Sequence, residues 1–446
     1  MPVKHINIIY LIFLTFSSKQ IYSALDRVFI VVTTTGTETM TSESMITRIK
    51  TPMAVLCLCI ALAVLVMPAA ASTSVTVTRY CDNNYATVDD STTLYNTTLM
   101  GMTQYQSSGN ISMQGLVTPA DQVTYNLTDA EFQNGWDTTE SVNLGNYGAH
   151  NGTLLEDIVM QVGGMPDGSE IVIADSTFPK ATRYFNKTNV YSPIAGQGEM
   201  ILCWWDSEYG FVPGWSKGMR LFFYSSNDLT FSNQNMKNCI APWYQQFAKD
   251  RNSDFVGPSA KGLSVQNVDT IKIYPPHRYD FATGSDTVEY AYEGGVTGVP
   301  TASNVPSTAF SSTAYIASDD GIDQECSTSV TGESAAQRFV FTVAENATKI
   351  ERLAITWNGT GTHASTPGAD LYIWNGTSSS YELLQDSTSS TEVSLTGEKT
   401  SGISNYIVNG NVTVLVKQKG AATGLLVKST LATDYVKLVV THHHTY

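Results

Sequence analysis

Ile350-Glu-Arg-Leu-Ala-Ile-Thr-Trp357 carries Leu353, Ile355 and Trp357 at every second position. Side chains of a strand alternate between faces, so these three share one face of a half-buried β-strand. Val412, Val414 and Val416 repeat the pattern. Arg338–Val343, Asp370–Trp374, Tyr381–Leu384 and Tyr435–Val440 alternate or run apolar, with turn-forming clusters between them. Roughly six to eight short strands at this spacing predict that residues 314–441 form an all-β, jelly-roll-like sandwich.

Upstream, residues 282–313 are Gly, Ser, Thr, Pro and Val with little periodicity, and they read as a linker. Residues 73–281 mix two periods and predict an α+β domain, a mixed sheet with few helices. Its strand patterns are Val75–Tyr80, Glu170–Ala174, Glu199–Trp205, Met219–Tyr224 and Thr270–Tyr274. The spacing of Leu154, Leu155, Ile158, Val159 and Val162 predicts a helix over 151–164, capped by Asn151 or Thr153 and stopped by Gly163-Gly164.

Residues 45–71 have the layout of a secretory signal peptide. Arg48 and Lys50 are the basic region, Met53 to Met67 the apolar region, and Ala69-Ala70-Ala71 the cleavage site. The strongly apolar part is shorter than the roughly 20 residues a membrane helix needs. The expectation is a cleaved signal, with residues 1–44 an upstream extension. Membrane attachment would come only through an uncleaved signal, and the mature chain is expected outside the cell from about Ser72.

From Ser72 the chain carries 20 basic and 37 acidic residues, a net −17. Phosphate recognition needs a basic footprint, so nucleic acid is excluded as a partner. Four cysteines follow the signal: Cys81, Cys203, Cys239 and Cys326. In an oxidising compartment they favour disulfides, and a Cys203–Cys239 bridge is expected because both lie in one domain. Nine N-x-Ser/Thr sequons also follow it: Asn96, Asn110, Asn126, Asn151, Asn186, Asn346, Asn358, Asn375 and Asn411. Two stand in the identical string Trp-Asn-Gly-Thr, at Asn358 and Asn375, and read as exposed turns ending strands.

The pieces LLEDIVMQVGG, EIVIADS, GWSKGMRLFFY and VQNVDTIKIY, all between Gly152 and Tyr274, resemble the molybdopterin-binding domain of the sulfite oxidase family. Arg220 falls at that family's strand-entry arginine. The resemblance implies a related fold, as in secreted archaeal proteins. The family's molybdenum-ligating cysteine has no counterpart in a recognisable motif, the upstream Cys81 being the one cysteine in range, so the cofactor is not expected. Were molybdopterin bound, Trp215, Lys217 and Arg220 would line its site. The later pieces AYIASDD, RFVFTV, ITWNG, ADLYIWNG and STLATDYVKLVV resemble a β-sandwich module of prokaryotic cell-surface proteins, which implies surface display or adhesion.

The chemical motifs are few. Gly214-Trp-Ser-Lys-Gly218 matches the nucleophile-elbow string, but Pro213 precedes it and a strand follows, so a turn before a strand is expected. Asp319, Asp320 and Asp323 offer carboxylates at short spacing around Gly321, a set of hard oxygen ligands suited to Ca²⁺. Trp204, Trp205, Trp215 and Trp243 are candidates for stacking on sugars or for filling the core. His442-His443-His444 is a short run of metal-ligating side chains.

These readings combine into one expectation. The chain is a secreted or cell-surface glycoprotein, a non-catalytic binding or adhesion module whose partners are cell-envelope components or glycans. The alternative is an extracytoplasmic molybdopterin-type oxidoreductase.

Overall fold

In the computed structural model, the strand containing Leu353, Ile355 and Trp357 runs over Ile350–Thr362 and lies inside a five-stranded antiparallel sheet. It pairs with Ser429–His442 on one side and Val393–Lys399 on the other. His277–Asp280 and Gln324–Thr328 also pair with Ser429–His442. The structure describes residues 71–444 except 125–135, 138, 141, 227, 253–254 and 283–288. The signal-peptide reading of 45–71, apart from Ala71, and the sequon at Asn126 lie outside the described residues.

A six-stranded sheet faces the first across a shared core. Its order is Thr308–Ala309, Glu289–Thr297, Glu333–Thr342, Asn411–Gln418, Ala369–Asn375 and Ser380–Ser387. Phe339, Phe341, Leu371, Val412, Val414 and Val416 from this sheet meet Leu353, Ile355, Trp357, Val436 and Leu438 from the other. Removing each such side chain from water contributes about 1.5–3 kcal/mol. The Trp357 indole is fully buried and its Nε1–H donates to Thr433 Oγ1 at 2.7 Å, so burial leaves no orphaned donor.

The segment read as a linker is corrected here. Glu289–Thr297 pairs residue for residue with Glu333–Thr342. His277–Asp280, placed by the sequence reading in the first domain, is likewise a strand of the second part.

The preceding part holds a five-stranded mixed sheet, ordered Val88–Tyr95, Ser74–Tyr80, Thr270–Tyr274, Glu170–Ala174 and Thr182–Asn186. Its first and last strands in the chain, Ser74–Tyr80 and Thr270–Tyr274, run parallel side by side. A second sheet runs Gly210–Phe211, Glu199–Asp206, His150–Leu154 and Gln104–Gln106, with Arg220–Tyr224 also paired to Glu199–Asp206. The helix predicted over 151–164 is shorter. Its helical turn is Leu155–Met160, and Asn151 and Thr153 belong to the strand before it. Leu155, Ile158, Val159 and Val162 are buried as their spacing requires, and Gly163 and Gly164 stop the helix at φ of 78° and 75°. Among the described residues, no helix is long and apolar enough to cross a membrane.

Candidate functional site

The second sheet of the first part carries a shallow open cleft. Asp206 turns the chain there: its Oδ1 accepts the backbone N–H groups of Glu208 and Tyr209, each at 2.8 Å. The returning Gly210–Phe211 pairs with Trp205–Asp206. Across four strands the register sets Phe211 opposite Trp205, Trp205 opposite Asn151, and Asn151 opposite Gln106. Residues directly opposite one another project to the same face. One row therefore presents two aromatic rings beside two amides.

Phe211 is 49% exposed and Trp205 half-buried. Trp204 lies under Phe211, with ring centroids 5.8 Å apart and planes 9° from parallel. Its Nε1–H is taken by Thr153 Oγ1 at 3.1 Å, so Trp204 supports the floor. Asn151 Nδ2 donates to Gln104 Oε1 at 3.2 Å, while Asn151 Oδ1 is buried without a protein partner. Met100 and Gln104 complete a cleft of about 150 Å³ with no charged group in its lining. Pockets that enclose drug-sized ligands measure roughly 300–1,000 Å³. This cleft suits one small ring laid against Trp205 and Phe211, with polar edges reaching the amides.

The other tryptophans are structural. Trp215 is buried with its ring 5.1 Å from that of His150, and Trp243 stacks on His443 at 4.3 Å. Arg220 is buried over the rings of Tyr147 and Phe222, and its Nε donates to Ser264 Oγ at 2.8 Å. Desolvation lowers its pKa from the ordinary arginine value. Lys217, by contrast, is exposed on the turn before Arg220–Tyr224. The three residues expected to line a pterin pocket thus form no common lining. Beneath the cleft, His150 is buried within 3.6 Å of Asp206. Desolvation drives its pKa down to about 4 against the pull of Asp206, so it is a neutral core histidine.

The Cys203–Cys239 bridge does not form, and all four cysteines described are free thiols. Cys203 is fully buried in its strand, its Sγ 3.5 Å from Tyr224 Oη, and burial raises its pKa to about 12. Cys239 closes the helix Asn233–Cys239 against Gly196.

Asp319 meets Glu392 and Asp434, whereas its sequence neighbours turn to local work. Asp320 accepts the Ser318 hydroxyl at 2.8 Å and the Ile322 N–H at 3.1 Å. Asp323 stands outside the group, with its pKa raised by burial and by Glu325. Glu392 and Asp434 were not legible as partners, because one precedes a distant strand and the other interrupts an apolar one.

The sequons divide by environment. Asn110 and Asn346 are exposed, and Asn96, Asn151, Asn186 and Asn411 are half-buried. Asn358 lies within Ile350–Thr362 rather than in a turn, and its Nδ2 donates to Asp319 Oδ2 at 2.9 Å. Asn375 does end a strand, but it is buried and its Nδ2 donates to Glu382 Oε1 at 2.6 Å.

A family model described as the C-terminal domain of an uncharacterized protein matches residues 286–442. That start agrees with Glu289–Thr297 belonging to the second part. No curated protein matches the chain. Among solved structures, the chain is similar to a mutant of a family 29 carbohydrate-binding module made to probe ligand recognition. The identity is 7%, covering 34% of this chain and 92% of that one, with a TM-score of 0.14.

Proposed function

We propose that this chain is a non-catalytic binding protein of the cell exterior or envelope, and that its first part takes a neutral sugar ring in the cleft at Trp205 and Phe211. The carrying observation is the cross-strand row Phe211, Trp205, Asn151 and Gln106. Aromatic faces pack against the C–H faces of a pyranose, and amides both donate to and accept from hydroxyls. An uncharged lining in a strongly acidic chain favours a neutral ligand over an anionic one.

In this reading the first part is a degenerate relative of the molybdopterin-binding domain and the second a jelly-roll-like surface module, both on the sequence resemblances given above. The residues present do not fit the pterin cofactor. Arg220 and Trp215 are built into the core, and Lys217 stands apart from them. The Cys81 thiol is held above its ordinary pKa by burial and by Asp89 and Asp82, which disfavours the thiolate a metal needs.

The test is glycan-array binding by the full chain, followed by calorimetry on the sugars retained. Trp205→Ala and Phe211→Ala should each weaken binding at least about tenfold, the loss of roughly one stacking contact. The reading fails if the folded protein retains no glycan, or if both variants bind as the parent does.

A further inference from the structure

We infer that the second part holds a calcium ion between Asp319, Glu392 and Asp434, a ligand set drawn from three separate segments. One ligand oxygen from each lies within 4.8 Å of the others. Asp319 lies in the loop before the strand Gln324–Thr328, and Glu392 just before the strand Val393–Lys399. Asp434 lies within the strand Ser429–His442. Three carboxylates this close repel one another unless a cation or a shared proton stands between them.

A separate observation points to that cation. Asp434 is 1% exposed, and its two oxygens are treated differently. Oδ1 accepts the N–H groups of Asp320 at 3.3 Å and Gly321 at 3.0 Å. Oδ2 is buried and receives no amide or hydroxyl donor; its carboxyl instead hydrogen-bonds to that of Asp319, and burial together with this contact raises the Asp434 pKa. Next to it in the cluster, Asn358 donates Nδ2 to Asp319 Oδ2, which leaves Asn358 Oδ1 buried and unpartnered. The site offers three protein carboxylates, all hard oxygen donors. Asp319 and Glu392 are exposed, so water can complete the shell.

Calcium takes six to eight such oxygens in an irregular shell, whereas magnesium demands a near-ideal octahedron. Soft transition metals favour sulfur or imidazole, and neither is present in the group. The ion would fix the Ser318–Asp323 loop to two strands of the five-stranded sheet. Nothing in this depends on the sugar cleft, which lies in the first part.

The experiment is calorimetric titration of the chelator-treated full chain with calcium chloride, with thermal melts in chelator and in calcium. One ion per chain is expected, with a dissociation constant on the order of 10⁻⁴–10⁻³ M, as in extracellular modules, and a melting temperature that rises with calcium. Glu392→Gln and Asp434→Asn should each weaken binding at least about tenfold. Asp323→Asn should bind as the parent does. If Asp434→Asn fails to fold, Glu392→Gln, altered at an exposed loop position, decides the matter. No calcium uptake by the folded chain at about 10 mM, ten times the weakest constant expected, overturns the inference, as does binding unchanged in Glu392→Gln.

Discussion

His443 joins the two parts of the chain: its Nδ1 lies 3.3 Å from Glu170 Oε1, and its Nε2 lies 2.9 Å from Glu351 Oε1. Glu170 opens a strand of the mixed sheet, while Glu351 and His443 belong to the second part. The His444 N–H donates to the other Glu170 oxygen at 2.7 Å, and Trp243 covers the His443 ring. A buried carboxylate is tolerable because it is paired in this way.

Stability should therefore depend on pH through histidines of opposite sign, His443 on the alkaline side and His442 with the buried His150 on the acid side. Burial alone would lower the His443 pKa, but hydrogen bonds to Glu170 and Glu351 outweigh it and raise it to about 9. Its contribution is complete below about 6.5 and is lost as pH rises through about 9. His442 is lowered to about 4, by burial first and then by His444, so its contribution is lost as pH falls from about 6.5 through about 4. Urea unfolding across this range should show a maximum near neutrality. In His443→Ala the alkaline decline, on the order of 3 kcal/mol in the parent, should flatten. An alkaline limb unchanged in that variant would show that His443 is not its source.

Thiol chemistry should follow burial. Denatured protein prepared without reductant should titrate as free thiol at Cys81, Cys203, Cys239 and Cys326, since none is bridged. In the native state Cys203 should react slowest, being fully buried with its pKa raised to about 12. A mass lower by two hydrogens across a Cys203–Cys239 peptide pair, or rapid native labelling of Cys203, would contradict this arrangement.

Glycan occupancy should likewise follow the side-chain amide. Expressed in a glycosylating host, Asn110 and Asn346 should be modified, because both are exposed. Asn358 and Asn375 should stay bare, since the nitrogen that would carry the sugar donates to Asp319 and Glu382 respectively. Glycopeptide mapping reads this directly, and high occupancy at Asn375 would require its strand end to open.

Legibility in the sequence tracked how local the signal is. Leu353, Ile355 and Trp357 announce their strand because period and burial coincide on one face. Glu289–Thr297 was misread because Gly294 and Gly295 look like linker residues. A Cβ at Gly295 would meet the carboxylate end of Glu333, a flexible side chain that can swing aside, so these glycines sit in a regular strand. Of the acidic turn, Asp319 alone reaches the cluster, because Glu392 and Asp434 arrive through tertiary folding that no short spacing encodes. The cleft was half legible. Trp205 stood among the tryptophan candidates, while Phe211, Gln106 and Asn151 reach it through strand register.

The same register makes Gly152 the residue on which the cleft depends. It follows Asn151 at a bulge, where the pairing with Glu199–Asp206 shifts by one. A Cβ at this position would press on the Leu202 carbonyl oxygen and stand 2.7 Å from Cys203 Cα. Both obstacles are backbone of the central strand and cannot swing aside. Gly152→Ala should therefore push the two strands apart and destabilise the protein by about 1–3 kcal/mol. It should also draw Asn151 out of line with Trp205 and weaken sugar binding more than the stability loss alone explains. Gly101→Ala is the control, since a Cβ there meets nothing within 4 Å, and it should leave both properties unchanged. Thermal melts and calorimetry on the two variants decide it. If Gly152→Ala melts and binds like the parent, the strand contact that aligns the row is not as tight as described, and the cleft owes its shape to the Asp206 turn alone.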